Sequence, residues 1–259
     1  MTVTDVSFSI GKSHKVCQDY GLAGDDLVAI SDGCSSSPHT DIGARLLVHS
    51  AFKGGSPEVI VERAMLNRVG MDLPPECLDA TLLVARQTRR AVEVRIYGDG
   101  LIVGVRKDGH YVCHQHTYSH NAPAYLSYLT QRSRYAAYMS AQGALTIQTW
   151  EDSCQDFRDY TTTANPESIF TYWFPQDQYD MVLLLTDGVS SFQKRCGTAF
   201  APVPVCEVLA QVMDFKSVSP GFVQRRMNRF LNKFCPDNGW VHTDDLTVGA
   251  VYMGSEPCE

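Results

Sequence analysis

The stretch "AVEVRIYGDGLIVGVRKDGHYVCHQH", residues 91–116, decides what kind of fold this chain can adopt. Its first half places apolar residues at every second position, the period of a strand with one buried face. "GDG" and "KDGH" interrupt the apolar runs, and Asp108-Gly109 suits the tight turn of a hairpin. Just upstream, "DATLLVARQ" reads as one more strand, joined through the turn "TRR". Strands linked by turns this short pair antiparallel, because a parallel pair needs a long crossover.

Toward the N-terminus, "TVTDVSFSI" alternates as a half-exposed strand and "DLVAIS" as a shorter, more buried one. "DIGARLLVHSAF", from Asp41, has helical spacing. "SPEVIVERAMLNRV" follows, with Ser56 as a cap and Pro57 at the first helical position. Toward the C-terminus, "MVLLLTDG" is a strand, while "PVCEVLAQVMDF" and "PGFVQRRMNRFLNKF" are helical. Arg225, Arg226, Arg229 and Lys233 in the latter read as a basic face, either solvated or docking an acidic partner. "DDLTVGAVYM" closes the chain as a strand expected to lie among earlier ones. Strands and helices do not alternate as in a parallel sheet. The expectation is an α+β fold of antiparallel sheets with helices on their outer faces, with residues 1–259 as a single domain. Residues 121–178 lack clear period and are expected to form an irregular flap over the site.

The formal net charge of −7 argues against general nucleic-acid binding, which needs a basic surface. No apolar run approaches the ~20 residues of a membrane-spanning helix, and the N-terminus shows no secretory pattern. Nine scattered cysteines without a CxxC pair suggest reduced thiols and a cytoplasmic location. The oligomeric state is not legible.

Three strand-like segments end on a carboxylate followed by glycine: "VAISDG", "RIYGDG" and "LLLTDG". Asp-Gly is ordinary turn chemistry, and that explains Asp108-Gly109. It explains Asp32-Gly33 and Asp187-Gly188 less well, because each precedes a run of small residues rather than a return strand. Aspartates gathered at neighbouring strand ends repel unless a cation neutralises them, and Mg²⁺ or Mn²⁺ prefers such oxygen ligands. Gly33 leaves its carbonyl free to approach an ion. Asp244, which begins a strand, can lie beside the end of an antiparallel neighbour.

The ordered set "GKSHKVCQD", "VAISDG", "VEVRIYGDG", "VLLLTDG" and "DDLTV" resembles the metal-dependent protein phosphatases of the PPM, or type 2C, family. The resemblance implies a four-layer αββα sandwich: two antiparallel sheets flanked by helix pairs. It implies that Asp32 bridges two Mn²⁺ or Mg²⁺ ions, with Gly33 as a further ligand. Asp187 and Asp244 would complete the first ion's shell, Asp19 would hold the second ion, and Asp99 would serve a third, weaker site. The implied activity is hydrolysis of phosphoserine and phosphothreonine in proteins, by attack of a hydroxide held between the ions. Asp32 and Asp187 are then catalytic through the metals, and the partner is a phosphorylated protein.

The chain also departs from that pattern. His14 stands where the family commonly has a phosphate-binding arginine, and it reads either as a substitute cation or as an ordinary surface histidine. Cys34 occupies the place of a histidine proposed as general acid in some relatives. His39 is near enough in sequence to substitute, and reads equally as a helix-start residue. His114 and His116 share a strand face and suit either a transition metal or a solvated surface. A regulatory pseudophosphatase and a phosphatase of small phosphate esters are the alternatives.

Overall fold

A computed structural model describes residues 2–152 and 158–254; Cys154 and Cys258, two of the cysteines read as thiols, lie outside it. The chain begins with β1 (Val3–Ser9), β2 (Tyr20–Ala23) and β3 (Leu27–Ser31), then α1 (Thr40–Phe52) and α2 (Pro57–Gly70). Four strands follow: β4 (Leu82–Gln87), β5 (Ala91–Tyr97), β6 (Gly100–Arg106) and β7 (Tyr111–Tyr118). Next come α3 (Arg132–Ser140), β8 (Ala144–Glu151), β9 (Arg158–Thr163), β10 (Phe170–Pro175) and β11 (Tyr179–Leu185). The last part holds β12 (Phe192–Cys196), β13 (Ala199–Pro202), α4 (Val205–Val212), α5 (Phe222–Arg229), β14 (Trp240–His242) and β15 (Leu246–Tyr252).

All the described pairings in the two main sheets are antiparallel. One sheet orders its seven strands β1-β15-β11-β6-β7-β8-β9, the other its five as β10-β5-β4-β3-β2. β15 inserts between β1 and β11, as expected of a closing strand. The sheets pack face to face, which explains why "MVLLL" is apolar without alternation. Val182 and Leu184 point into the core between the sheets, with Val28, Ile30 and Ile102. Met181, Leu183 and Leu185 point outward under α4 and α5. On the other side, α1 and α2 cover Ala29 and Leu82 of the five-stranded sheet. The result is the four-layer αββα arrangement. Burying a side chain of Leu or Val size contributes ~1.5–3 kcal/mol, so strands buried on both faces supply much of the stability.

Several local expectations need correction. Residues 121–178 are not an irregular flap throughout: they contain α3 and three strands, β8, β9 and β10, which extend both main sheets. Their polar and aromatic content hid the period, because β9 is exposed along nearly its whole length. His114 and His116 do not face solvent. β10 covers them, so the His114 ring stacks on Tyr172 at 4.5 Å and His116 Nε2 lies 2.7 Å from the Tyr172 hydroxyl. Burial pushes their pKa values down to about 4 and about 3. The pair is part of the core, not a metal pair. The basic run of α5 is not one surface either. Arg226 is buried, donates to the Gln211 carbonyl and pairs with Asp214 at 3.3 Å, while Arg225 donates to Ser219 and the Pro220 carbonyl. Pro57 opens α2, but the Ser56 hydroxyl donates to Glu58 instead of capping a backbone N–H.

Candidate active site

The register of the central strands decides which aspartates meet. Leu185 pairs with Val248, so the end of β11 lies beside the start of β15, and Asp187 comes near Asp244. Leu185 also pairs with Leu101, which sets Asp99, immediately before β6, on the other side of Asp187. Asp99 lies in the short passage by which the chain leaves the five-stranded sheet for the seven-stranded one. Gly98 and Gly100 make that passage with φ of +94° and +135°, a region that L side chains avoid. Asp32 follows β3, and its N–H and carbonyl bond to Thr81 just before β4 (3.1 and 2.8 Å).

These loops surround a pocket of about 260 Å³ lined by Asp32, Asp99, Asp187, Asp244, Gly33 and His14. Asp19 lies behind it, fully buried, and accepts a hydrogen bond from the Thr186 hydroxyl at 2.8 Å. Thr186 is held in turn by the Thr247 N–H at 2.9 Å. The other oxygen of Asp19, Oδ1, is buried with no hydrogen-bond partner among the described residues. His39 is placed differently from the rest. It is exposed, starts α1 with φ of +59°, and is not among the pocket's lining residues.

The carboxylates are held against their electrostatic preference. Burial pushes the Asp32 carboxyl well up, and the charges of Asp19, Asp187 and Asp99 push it further. Burial and then Asp187 raise Asp99, burial and then Asp244 raise Asp187, and burial raises Asp19. Among the described residues, no lysine or arginine lines the pocket to offset them. The cation nearest to hand is His14. Burial pulls its pKa down, but contact with Asp245 and the charges of Asp244 and Asp19 more than offset this, and the net shift is upward. Its Nδ1 is 3.0 Å from Asp245, close in distance but not aligned as a hydrogen bond, and Nε2 is 3.4 Å from Asp244.

Sequence reasoning missed several supporting residues. Asp245 is buried and accepts the Gly11 and Gln18 N–H groups (2.7 and 2.6 Å), clamping the loop that carries His14 onto the start of β15. Gly188 packs so tightly on this clamp that any β-carbon there would collide with the Asp245 carbonyl. The glycine after Asp187 thus allows close backbone approach. In the sequence Asp245 is simply the second of two adjacent aspartates, and only burial tells them apart. The far wall of the pocket is formed by His120, Asn121, Pro123 and Tyr125, all at or within the aperiodic segment. His120 and Asn121 both have left-handed backbones, φ +59° and +49°, a strained pair of the kind found at functional sites. Cys34 lies between the walls, its Sγ 3.1 Å from the Ser36 hydroxyl.

The donor set suits divalent cations. Clustered buried and half-buried carboxylates, one with an orphaned oxygen, have no lysine or arginine among the described lining residues to neutralise them, and hard ions take such oxygens. Among the described residues, no three such groups converge tightly enough to form a ready-made coordination sphere; the aspartates ring a cavity.

A family model described as protein phosphatase 2C matches residues 10–232. This chain belongs to the protein phosphatase 2C family. Solved structures of two bacterial phosphatases share its fold. The serine/threonine phosphatase Stp1 from Staphylococcus aureus superposes with a TM-score of 0.54 at 13% identity, over 98% of this chain and 96% of that one. The serine/threonine phosphatase PstP/Ppp of Mycobacterium tuberculosis superposes with a TM-score of 0.53 at 14% identity, over 98% and 99%. Comparison with curated proteins by sequence gives no match. Within the 2C fold, Asp32, Asp99, Asp187 and Asp244 occupy one pocket and Asp19 supports it from behind.

Proposed function

We propose that this chain is a Mn²⁺- or Mg²⁺-dependent phosphatase acting on phosphoserine and phosphothreonine in proteins. The observation that carries this reading is the ring of crowded aspartates, Asp99 buried and Asp32, Asp187 and Asp244 half-buried, around a pocket whose described lining includes no lysine or arginine. A PstP catalytic domain of the same fold was solved with two manganese ions, which supports a divalent requirement here (TM-score 0.52, 15% identity, 97% and 99% covered).

In this reading Asp32, Asp187 and Asp244, with the Gly33 carbonyl, would hold the ions, and Asp19 and Asp99 would complete the set. When bound, two such ions lower the pKa of coordinated water to near neutrality and offset phosphoryl charge. The remaining work falls to the chain's own groups. Thr186 keeps one Asp19 oxygen occupied so that the other points away from it. Asp245 fixes the His14 loop, and His14, whose pKa its acidic neighbours raise against burial, is placed to attract the substrate phosphate when protonated. His120, which lines the pocket, is better placed than His39, which does not, to give a proton to the leaving alkoxide.

One observation favours a weak or non-hydrolytic relative instead: the phosphate-binding cation is an imidazole, and no guanidinium is among the described lining residues. The deciding experiment is hydrolysis of para-nitrophenyl phosphate with Mn²⁺, with Mg²⁺ and with EDTA, beside Asp32→Asn and Asp187→Asn proteins checked for folding. Metal-dependent turnover lost in both variants supports the hydrolase. Folded protein that binds Mn²⁺ without turnover supports the pseudophosphatase. A phosphopeptide panel against small phosphate esters then separates the two substrate classes.

A further inference from the structure

A second cavity, of about 660 Å³, opens beside the aspartate pocket, and His14 lines both. Its volume falls in the ~300–1,000 Å³ range of pockets that take organic ligands. The floor is apolar, built on Trp240, Leu231 and Phe200. The rim carries two permanent cations, Lys12 and Arg195, and among the described residues no aspartate or glutamate lines it. That is the reverse of the neighbouring pocket, in a chain whose net charge is −7.

Each wall has a local cause. Lys12 and Ser13 pair along the end of β14, through N–H bonds to the His242 and Thr243 carbonyls (3.1 and 3.0 Å), which holds Lys12 in the lining of this cavity. Phe200 belongs to β13, an edge strand exposed along its whole length, and more than half of its surface is open to solvent. Leu231 sits in a π-helical turn, Phe230–Phe234, that continues α5. Pro236 has no N–H for the Asn232 carbonyl, and a widened turn accommodates that loss. Nothing in the metal site requires an exposed phenylalanine, a widened helix or a cationic rim.

We propose that this groove docks the polypeptide flanking the phosphorylated residue, taking an apolar side chain on Phe200, Leu231 and Trp240 and an acidic one at Arg195 and Lys12. Resting on the phosphatase reading, it assigns the substrate class: phosphoproteins with an acidic, apolar segment close to the phosphorylated site. Continuity through His14 gives the direction, and charge complementarity gives the chemistry. An extended chain advances ~3.3 Å per residue, so five residues on either side of the phosphorylated one reach about 16 Å along the groove.

The test uses phosphothreonine peptides carrying Phe and Glu within that span on either side, and matched peptides with Ala and Lys. The proteins are wild type, Arg195→Glu and Phe200→Ser, both changes at exposed positions outside the aspartate pocket. For the acidic, apolar peptide, kcat/KM should fall about 10-fold in each variant, the size of one interface anchor, with para-nitrophenyl phosphate turnover held within about twofold. Anisotropy with a non-hydrolysable phosphonate version of the peptide reads binding independently of turnover. Wild-type protein that binds this peptide through Arg195 but hydrolyses nothing would overturn the phosphatase reading and keep the groove. Equal turnover of all peptides, unmoved by either variant, would overturn the groove and keep the phosphatase. Absence of peptide binding, or a dimer that Phe200→Ser dissolves, would also overturn the groove.

Discussion

Arg134 of α3 forks onto Asp79, with Nη1 2.9 Å from Oδ1 and Nη2 2.6 Å from Oδ2. Asp79 is buried and also accepts the Ser37 and Ser127 hydroxyls at 2.8 and 3.1 Å, while its carbonyl takes the Cys34 N–H at 2.8 Å. One carboxylate therefore ties the segment forming the far wall of the pocket to the loop that follows Asp32.

Removing the guanidinium leaves that buried charge with two hydroxyl donors. Arg134→Leu should lower stability by about 2–4 kcal/mol, less than the full cost of orphaning a buried ion because Ser37 and Ser127 remain. Urea denaturation of the metal-free protein measures it. A loss below about 0.5 kcal/mol, the scale of an ordinary surface change, would show that α3 is not anchored through this pair.

Thr186 is not among the residues lining the aspartate pocket, yet its hydroxyl orients Asp19 from behind. Outer partners of metal ligands typically affect affinity 10–100-fold, so Thr186→Val should weaken Mn²⁺ binding by about that factor, and Thr186→Ser should restore most of it. Isothermal titration calorimetry on folded protein reads both. Equal affinity in all three proteins would remove Asp19 from the metal site.

The two-sided burial of β3 and β11 was legible because it leaves unbroken apolar runs, and the antiparallel order followed from short turns. Asp32, Asp99 and Asp187 were legible because each stands at a strand end beside glycine, whereas Asp19 came only through the family resemblance. Other features depend on contacts that a linear pattern does not encode. Asp245 differs from Asp244 only in lying under the Gly11 and Gln18 amides. His116 looks like a surface histidine until β10, more than fifty residues later, covers it. β9 is amphipathic on neither face, so no period announces it.

His116 also gives the acid behaviour of the fold. Burial depresses its pKa from 6.5 to about 3, so protonation favours the unfolded chain. Its contribution is complete above pH 6.5 and is lost as pH falls toward 3. Between pH 7.5 and 5.0 the loss should be about 2 kcal/mol. His116→Phe lacks this titration, so the stability difference between wild type and variant should shift against wild type by that amount over the same interval. Metal-free denaturation at the two pH values measures it. A difference independent of pH would mean that the imidazole reaches water.

Asp32 offers the sharpest contrast between folding and function. It is packed among Asp19, Asp187 and Asp99, and without metal its charge repels theirs in a buried setting. Asp32→Asn keeps the shape and removes one charge, so at pH 7.5 in EDTA the variant should be more stable than wild type, because the repulsion from Asp19, Asp187 and Asp99 is relieved. Adding Mn²⁺ should reverse the order. At 100 times its dissociation constant, Mn²⁺ stabilises a single-site protein by ~2.7 kcal/mol, and the variant should lose most of this. Thermal denaturation with and without Mn²⁺ reads both effects in one experiment. A variant that is less stable in EDTA and still gains the full increment from Mn²⁺ would show that Asp32 serves the fold and not the metal.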